Sequence, residues 1–382
     1  MKPHVPVIAA ASSLILSMVA CSDTVKPTDD GTPSAPAVDD TSAPTIEAED
    51  VSDQLEAIRS EYGLPALAGI RLEGDTLTHQ GVTGVRKLGE DTLATVDDKW
   101  HIGSCTKAMT GTLVGLHVDD GLLDWTSTMA ELFPDMDGMH DSFRDVTVEM
   151  LLSHSGGIDD AAANSAVVAT QTSNDVQWRA DLTRAILRNE PGTEIGSYQY
   201  SNYGYVMVGA TLERLTDASW EELMRERLFE PLGMSGCGFG PADASADGSQ
   251  PWGHSGDEPS NGDNLPVLGP AGTVHCPLAD WGRFISDQIR AYNGEESILS
   301  ADQAEQMFTV KAGNYAMGWI VVDYPSFGGT ILAHTGSNTF SLADVLVSPS
   351  LNQAYLAATN RADLSTDIGA TQDTISLLFE QE

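Results

Sequence analysis

Trp100-His101-Ile102-Gly103-Ser104-Cys105-Thr106-Lys107 leads directly into the apolar run 108–117. The chain has only six lysines, and this stretch sets one of them three residues after a serine, at the start of an expected helix. Residues i and i+3 share a helix face, so the Ser104 hydroxyl and the Lys107 amine look into one space. A helix N-terminus adds free backbone N–H groups and the positive end of the dipole, both favouring negative charge on or beside the serine oxygen. An activated nucleophile needs this environment. With 33 serines in 382 residues, chance alone supplies about half a Ser-x-x-Lys match per such chain. The pair proves little by itself, and the rest of the chain must decide.

Upstream, residues 1–20 read as an export signal, with Lys2 near the start, an apolar core over 5–19, and Ala20 before Cys21. Met18-Val19-Ala20-Cys21 resembles the bacterial lipobox, in which the cysteine becomes the lipidated first residue. Residues 21–50 are mostly Asp, Thr, Pro, Ser and Ala and lack the apolar content to fold. They read as a tether that holds a domain about 30 Å from its attachment point. The expectation is a lipid-anchored protein of the bacterial cell envelope, its domain in the periplasm or on the cell exterior.

The net charge of −37, from 56 Asp+Glu against 19 Lys+Arg, is spread along the chain. Such a field repels nucleic acid and anionic lipid surfaces, so no nucleic-acid partner is expected. The nine histidines are scattered and no H-E-x-x-H occurs, so neither a metal nor a cofactor is expected. Beyond Cys21 the cysteines are Cys105, Cys237 and Cys276. Cys105 reads as a packed small residue of the motif helix, leaving Cys237 and Cys276 as the candidate disulfide of an exported chain.

Residues 51–382 read as one globular unit. A helical stripe over 51–62 stops at Gly63 and Pro65, and 66–72 and 76–82 form a hairpin around Glu73-Gly74-Asp75. Helices are expected at 104–120, 147–152, 177–189, 203–215 (with Asn202 as its cap), 219–230, 278–291, 300 onward and 364–380. Residues 243–269 read as a long surface loop. Strands at 317–322, 330–333, 342–347 and 353–358 are spaced as a meander. The fold class is α/β in the α+β sense: an antiparallel sheet flanked by helices (about 51–99 and 270–382) with an inserted, mainly helical part (about 100–269).

Two further clusters complete the pattern: Tyr198-Gln199-Tyr200-Ser201-Asn202, in a turn entering a helix, and His334-Thr335-Gly336-Ser337, after a strand. With Ser104-Cys105-Thr106-Lys107 they resemble, in order, the three motifs of the serine β-lactamase and penicillin-binding protein superfamily. The Tyr-x-Asn motif points to the class C-like branch, which includes esterases and D-amino-acid peptidases. Residues 146–158, Pro191-Gly192-Thr193, Glu230-Pro231-Leu232-Gly233-Met234, and Pro270-Ala271-Gly272-Thr273 with Asp280 extend the resemblance from 51 to about 360.

The resemblance implies a serine hydrolase acting through an acyl-enzyme on Ser104. Lys107 accepts the serine proton or keeps a neighbouring phenolate ionised, and Tyr200 is the expected general base, which requires its pKa to fall well below about 10. Tyr198, Tyr203 and Tyr205 are equally plausible bases by composition; the spacing to Asn202 favours Tyr200. Asn202, His334, Thr335, Gly336 and Ser337 are expected to line the substrate, with the backbone N–H groups of Ser104 and Ser337 as the oxyanion hole. His154 has no motif position and reads as an ordinary packed or exposed histidine. Where most relatives have Lys-Thr-Gly, this chain has His334-Thr335-Gly336, so a permanent cation gives way to a mostly neutral imidazole that would gain charge near pH 6.

The expected substrate is therefore a small or peptide-like neutral ester or amide, with β-lactamase or D-Ala-D-Ala carboxypeptidase activity as the alternative. A non-catalytic, penicillin-binding-like sensor lipoprotein is the competing non-enzyme reading. An α/β-hydrolase is disfavoured because Gly233-Met234-Ser235-Gly236-Cys237 breaks G-x-S-x-G at its last position.

Overall fold

The computed structural model of the chain describes residues 48–381; the expected signal peptide, Cys21 and nearly all of the linker lie outside the described residues. The backbone of the molecule is a seven-stranded sheet in the spatial order Glu49–Asp50, Thr76–Gly84, Ala66–Glu73, Gln353–Thr359, Leu342–Ser348, Gly329–Ser337 and Ile320–Tyr324. Every pairing is antiparallel except that of the short Glu49–Asp50 strand, which runs parallel to Thr76–Gly84. The folded unit thus starts slightly before residue 51. A two-residue edge strand is held by main-chain hydrogen bonds and leaves no apolar pattern to read.

Side-chain alternation divides the sheet into two faces. Ala66, Ala68, Ile70 and Leu72 join Leu332, Val345 and Leu356 in the large core. Their neighbours Leu67, Ile331, Leu346 and Tyr355 join a smaller core under the helices Ser52–Tyr62 and Asp367–Glu380. On the large-core face the amphipathic helix Leu278–Asn293 comes so close that a Cβ at Gly282 would sit 3.1 Å from Leu72. The motif helix Thr106–Asp119 lies in the same core, with every residue from Thr106 to His117 buried.

The mainly helical stretch carries its own short strands. Lys99–His101, Val274–Pro277 and Gly238–Phe239 form a three-stranded sheet, and Cys237 and Cys276 are bridged across it with Cα atoms 4.2 Å apart. Cys105 is free and buried. The segment read as a surface loop holds a hairpin, Gly253–Ser255 with Glu258–Ser260, and buries Asp243, His254 and Val267. Its Gly, Pro and Asp content is turn chemistry for a packed segment, because the hairpin wraps Phe340 so closely that Gly253 and Gly262 have no room for a Cβ. A helix over Asp160–Thr170, in an alanine-rich stretch with little apolar periodicity, has no counterpart in the sequence reading.

The bridge closes a segment 39 residues long. In the chain-entropy treatment a loop of that length contributes about 3 to 4 kcal/mol. The double variant Cys237→Ala/Cys276→Ala is expected to lose stability of that order in urea unfolding, with an m-value that rises as the unfolded chain opens, and a loss under about 1 kcal/mol would show that the closed loop contributes little.

Candidate active site

Ser104 sits in a one-turn 3₁₀ segment, Gly103–Cys105, that runs without a break into the helix Thr106–Asp119. One turn on, Lys107 is fully buried, and its Nζ contacts Ser104 Oγ at 3.0 Å, Asn202 Oδ1 at 2.8 Å and the Ala271 carbonyl at 2.7 Å. Burial lowers the Lys107 pKa from the ordinary lysine value to about 7, despite the charge of Asp160 acting the other way. An ammonium has three donors and no acceptor; a neutral amine has two donors and one lone pair. The two carbonyl-type oxygens occupy two N–H bonds. In the neutral form the lone pair is left facing the Ser104 hydroxyl, the geometry for receiving its proton.

Tyr200 is partly buried, and its hydroxyl is hydrogen-bonded to Ser104. Lys107 Nζ lies over the Tyr200 ring, 4.9 Å from its centroid. The expected depression of the phenol does not occur. Burial raises the Tyr200 pKa, and the Ser104 hydrogen bond offsets only part of that rise. A phenolate needs a cation at its oxygen, whereas the nearest amine is half neutralised near pH 7 and faces the ring. The arrangement therefore presents Tyr200 as a neutral phenol beside Ser104 Oγ.

Asn202 opens the helix Asn202–Thr216, but the cap is Ser201, whose Oγ accepts from Gly204 N at 3.3 Å. This leaves the Asn202 side chain free to hold Lys107. Two residues that the sequence reading missed fix this turn. Asp160, from the unanticipated helix, accepts the Ser201 hydroxyl and, at 2.9 Å, the Asn202 N–H. His154 holds a left-handed backbone at φ 61°, accepts Gln199 N at its carbonyl (2.7 Å) and Ser201 N at Nδ1 (3.1 Å), and packs its ring 4.2 Å from that of Tyr200. A non-glycine residue held there is strain stored where the turn must be set. Burial and the nearby Lys107 charge push the His154 pKa well below the usual imidazole value, keeping Nδ1 an acceptor. No local pattern marks either contact, since Asp160 and His154 lie 41 and 47 residues from Ser201.

The third motif lies inside the strand Gly329–Ser337, not after it. Alternation turns His334 toward the large core and Thr335 to the opposite face, where its hydroxyl bonds the buried Asp344, which Thr371 also contacts. Burial raises the Asp344 pKa to about 6. His334 Nδ1 is 2.7 Å from the Thr335 carbonyl, so it carries the proton, and Nε2 accepts from Tyr315 Oη at 2.9 Å. Both nitrogens are satisfied within the protein. Burial, then the Lys107 charge, brings the His334 pKa to about 3, so the expected gain of charge near pH 6 does not occur.

The His334 imidazole is thus bonded to Tyr315 and to the Thr335 carbonyl, and the Thr335 hydroxyl to Asp344. A Cβ at Gly336 would lie 2.0 Å from the Ile102 carbonyl and 2.8 Å from Ser104 N, and one at Gly103 would lie 2.2 Å from Ser337 N. The strand end and the Ser104 turn cross backbone to backbone, which brings the main-chain nitrogens of Ser104 and Ser337 to the same crossing.

This fold, with Ser104, Tyr200 and Asn202 gathered around the buried Lys107, defines a serine hydrolase of the β-lactamase and penicillin-binding protein superfamily. The sequence model of the Beta-lactamase family matches residues 50–372, and the chain belongs to that family. It is 29% identical over 332 residues to "Penicillin-binding protein 4" of Amycolatopsis lactamdurans, covering 81% of this chain and 84% of that protein. It is 29% identical over 182 residues to "Lovastatin esterase" of Penicillium rubens, covering 42% of this chain and 44% of that protein. In fold it resembles the D-alanine carboxypeptidase AmpC of Burkholderia cenocepacia, with a TM-score of 0.68, 19% identity, and 85% and 97% of the two chains covered.

Asp160 also tests the electrostatics. Its carboxylate raises the Lys107 pKa, so Asp160→Asn should move the Lys107 titration further below about 7. Nitrogen-15 NMR of the six lysine amines reads this directly; a midpoint that rises or stays put counts against the assignment.

Proposed function

We propose that the chain hydrolyses neutral esters, or amides without a free carboxylate, through an acyl-enzyme on Ser104. The observation that carries this is the three-fold contact of Lys107, two carbonyl-type oxygens and the nucleophile, at a pKa of about 7. As Ser104 Oγ attacks the acyl carbon, its proton passes to the Lys107 lone pair, and the carbonyl oxygen becomes an oxyanion between the Ser104 and Ser337 N–H groups. Collapse breaks the bond to the alcohol or amine. The leaving group takes the proton back from the Lys107 ammonium, directly or through the Tyr200 hydroxyl. Water then enters as the second nucleophile, and the same groups return Ser104 to its starting state.

The preference for neutral substrates follows from the third motif. A carboxylate-bearing substrate gains most from a charge-assisted partner, and the imidazole at 334 is neutral, with both nitrogens already bonded. The likeness to a penicillin-binding protein and to a D-alanine carboxypeptidase supports a second reading, acyl-D-amino-acid peptides.

Assays of p-nitrophenyl butyrate, an acyl-D-Ala-D-Ala peptide and a chromogenic cephalosporin from pH 5 to 9 separate these, a peptide preferred over the ester favouring the second reading. The base is the neutral amine, so kcat/KM is expected to rise with pH through about 7 and then level off. The ester is expected to be the better substrate throughout, with a ratio that does not change between pH 6 and 8 because His334 stays neutral. Ser104→Ala is expected to lose several orders of magnitude in kcat. A cephalosporin preferred at pH 8 would replace the ester reading with the β-lactamase one, and an unchanged Ser104→Ala rate would remove the mechanism.

The proposal places the enzyme on a lipid anchor at Cys21, in the cell envelope. Support comes from the sequence of residues 1–50 alone. In a bacterial host that lipidates exported cysteines, Cys21→Ser should move the protein from the membrane fraction to the soluble one, at equal specific activity. Wild-type protein already soluble in the periplasm would contradict it.

A further inference from the structure

We infer that Asp263, with His101 and Asn338, is a positioning clamp that sets the gap between the two backbone N–H donors of the oxyanion site; this rests on the acyl-enzyme reading above. Asp263 comes from the segment after the hairpin Glu258–Ser260, and its side chain is 6% exposed. Its Oδ1 touches three nitrogens, those of His101 and Asn338 from distant parts of the chain and that of its neighbour Asn264.

The first leads to the nucleophile. His101 Nε2 lies 2.8 Å from Asp263 Oδ1, a close polar contact whose N–H is not aimed at the oxygen and so is no hydrogen bond, and His101 Nδ1 accepts the Gly103 N–H at 3.1 Å. An Nδ1 that accepts leaves the ring proton on Nε2, beside the carboxylate. Gly103 is the residue before Ser104 and has φ +49°, a conformation that must be held for Ser104 N to aim at the gap. The second leads to the strand. Asn338 Nδ2 donates to Asp263 Oδ1 at 3.0 Å, and Asn338 Oδ1 accepts Phe340 N at 3.1 Å and Ser341 N at 2.8 Å, shaping the turn that follows Ser337.

The third is local: Asn264 N donates at 2.7 Å, and the Asn264 amide in turn donates to the Gly272 carbonyl at 2.7 Å. Gly272 follows Ala271, whose carbonyl receives Lys107. One carboxylate oxygen and its neighbour therefore tie the nucleophile turn, the strand end and the lysine's acceptor to a single segment. None of these contacts is with a reacting atom, so the role is positioning. An oxyanion site gains from two fixed donors only if their separation matches the transition state, and a small misplacement costs turnover far more than ground-state binding.

The test measures p-nitrophenyl butyrate kinetics, with sites counted by a fluorescent alkyl fluorophosphonate so that rates are expressed per reactive Ser104. Asp263→Ala is expected to lower kcat about 100-fold with KM within about threefold. Asp263→Asn, which keeps an oxygen acceptor, should retain at least about a tenth of the wild-type kcat. His101→Asn keeps an acceptor for Gly103 but not the reach to Asp263, and His101→Gln does the reverse. Both should lose about tenfold and add little to Asp263→Ala, because they break one link. If Asp263→Ala does not accumulate as folded protein, the two His101 variants read the same link.

Full kcat per titrated site in Asp263→Ala, with fewer sites, would make the residue merely structural and overturn the proposal. A rise in KM alone, or strictly additive losses, would do so as well. Ser104→Ala keeps the two claims apart: if it retains activity, the acyl-enzyme reading falls and takes the clamp with it. If Ser104→Ala is dead while Asp263→Ala and both His101 variants turn over normally, only the clamp falls.

Discussion

The arrangement depends on one desolvated amine. Lys107 is wholly buried, and its pKa of about 7 corresponds to roughly 5 kcal/mol against the ammonium relative to water. The protein holds the amine there with Asn202 Oδ1 and the Ala271 carbonyl, so a single side chain joins the nucleophile helix, the helix Asn202–Thr216 and the segment before Val274. Removing the amine would leave the buried Ala271 carbonyl and the half-buried Asn202 Oδ1 without that donor, which couples the site to its stability. The same burial explains Tyr200 and His334. In a space that disfavours charge, the phenol stays protonated and the imidazole stays neutral.

The second constraint is steric. Gly336 against Ile102 and Ser104, and Gly103 against Ser337, bring two main chains together at distances where no Cβ fits. Backbone nitrogens are the donors least able to move, and a crossing of this kind aims them without side-chain entropy. The crossing then needs support on its outer side. The hairpin segment around Phe340 and Asp263 gives that support, which is why a stretch with the composition of a loop is packed and partly buried.

The parts of the site that were legible in the sequence are those whose meaning is local. Ser104 and Lys107 share a helix turn, Tyr200 and Asn202 share the turn that starts a helix, and the order of three short motifs identifies the family and with it the sheet-and-helix fold. The meander and most helices follow from period and capping residues. What stayed hidden depends on distance or on burial. Asp263 and Asn338 are 75 residues apart, and Asp160 and Ser201 are 41 apart, with no pattern linking either pair. The direction of the Tyr200 shift could not be read, because composition does not tell how dry a phenol is. The contact of Thr335 with Asp344 was hidden for a related reason: the strand continues through the motif, and one residue of phase decides which face a side chain takes.

The last question is why a chain with a net charge of −37 keeps a lysine of depressed pKa at its centre. A negative field should raise a lysine pKa, and Asp160 does act in that sense. Distant surface carboxylates, however, act through water and salt, where charges more than about 8 Å apart are largely screened at physiological ionic strength. Desolvation is local and unscreened, and here it is the largest influence on Lys107. The acidity of the surface and the ionisation of Lys107 are therefore nearly independent, so surface charge can vary without moving the Lys107 pKa. They meet only in what approaches. A neutral acyl group crosses the field without penalty, whereas an anion meets repulsion outside and, at position 334, a neutral imidazole with no donor to spare.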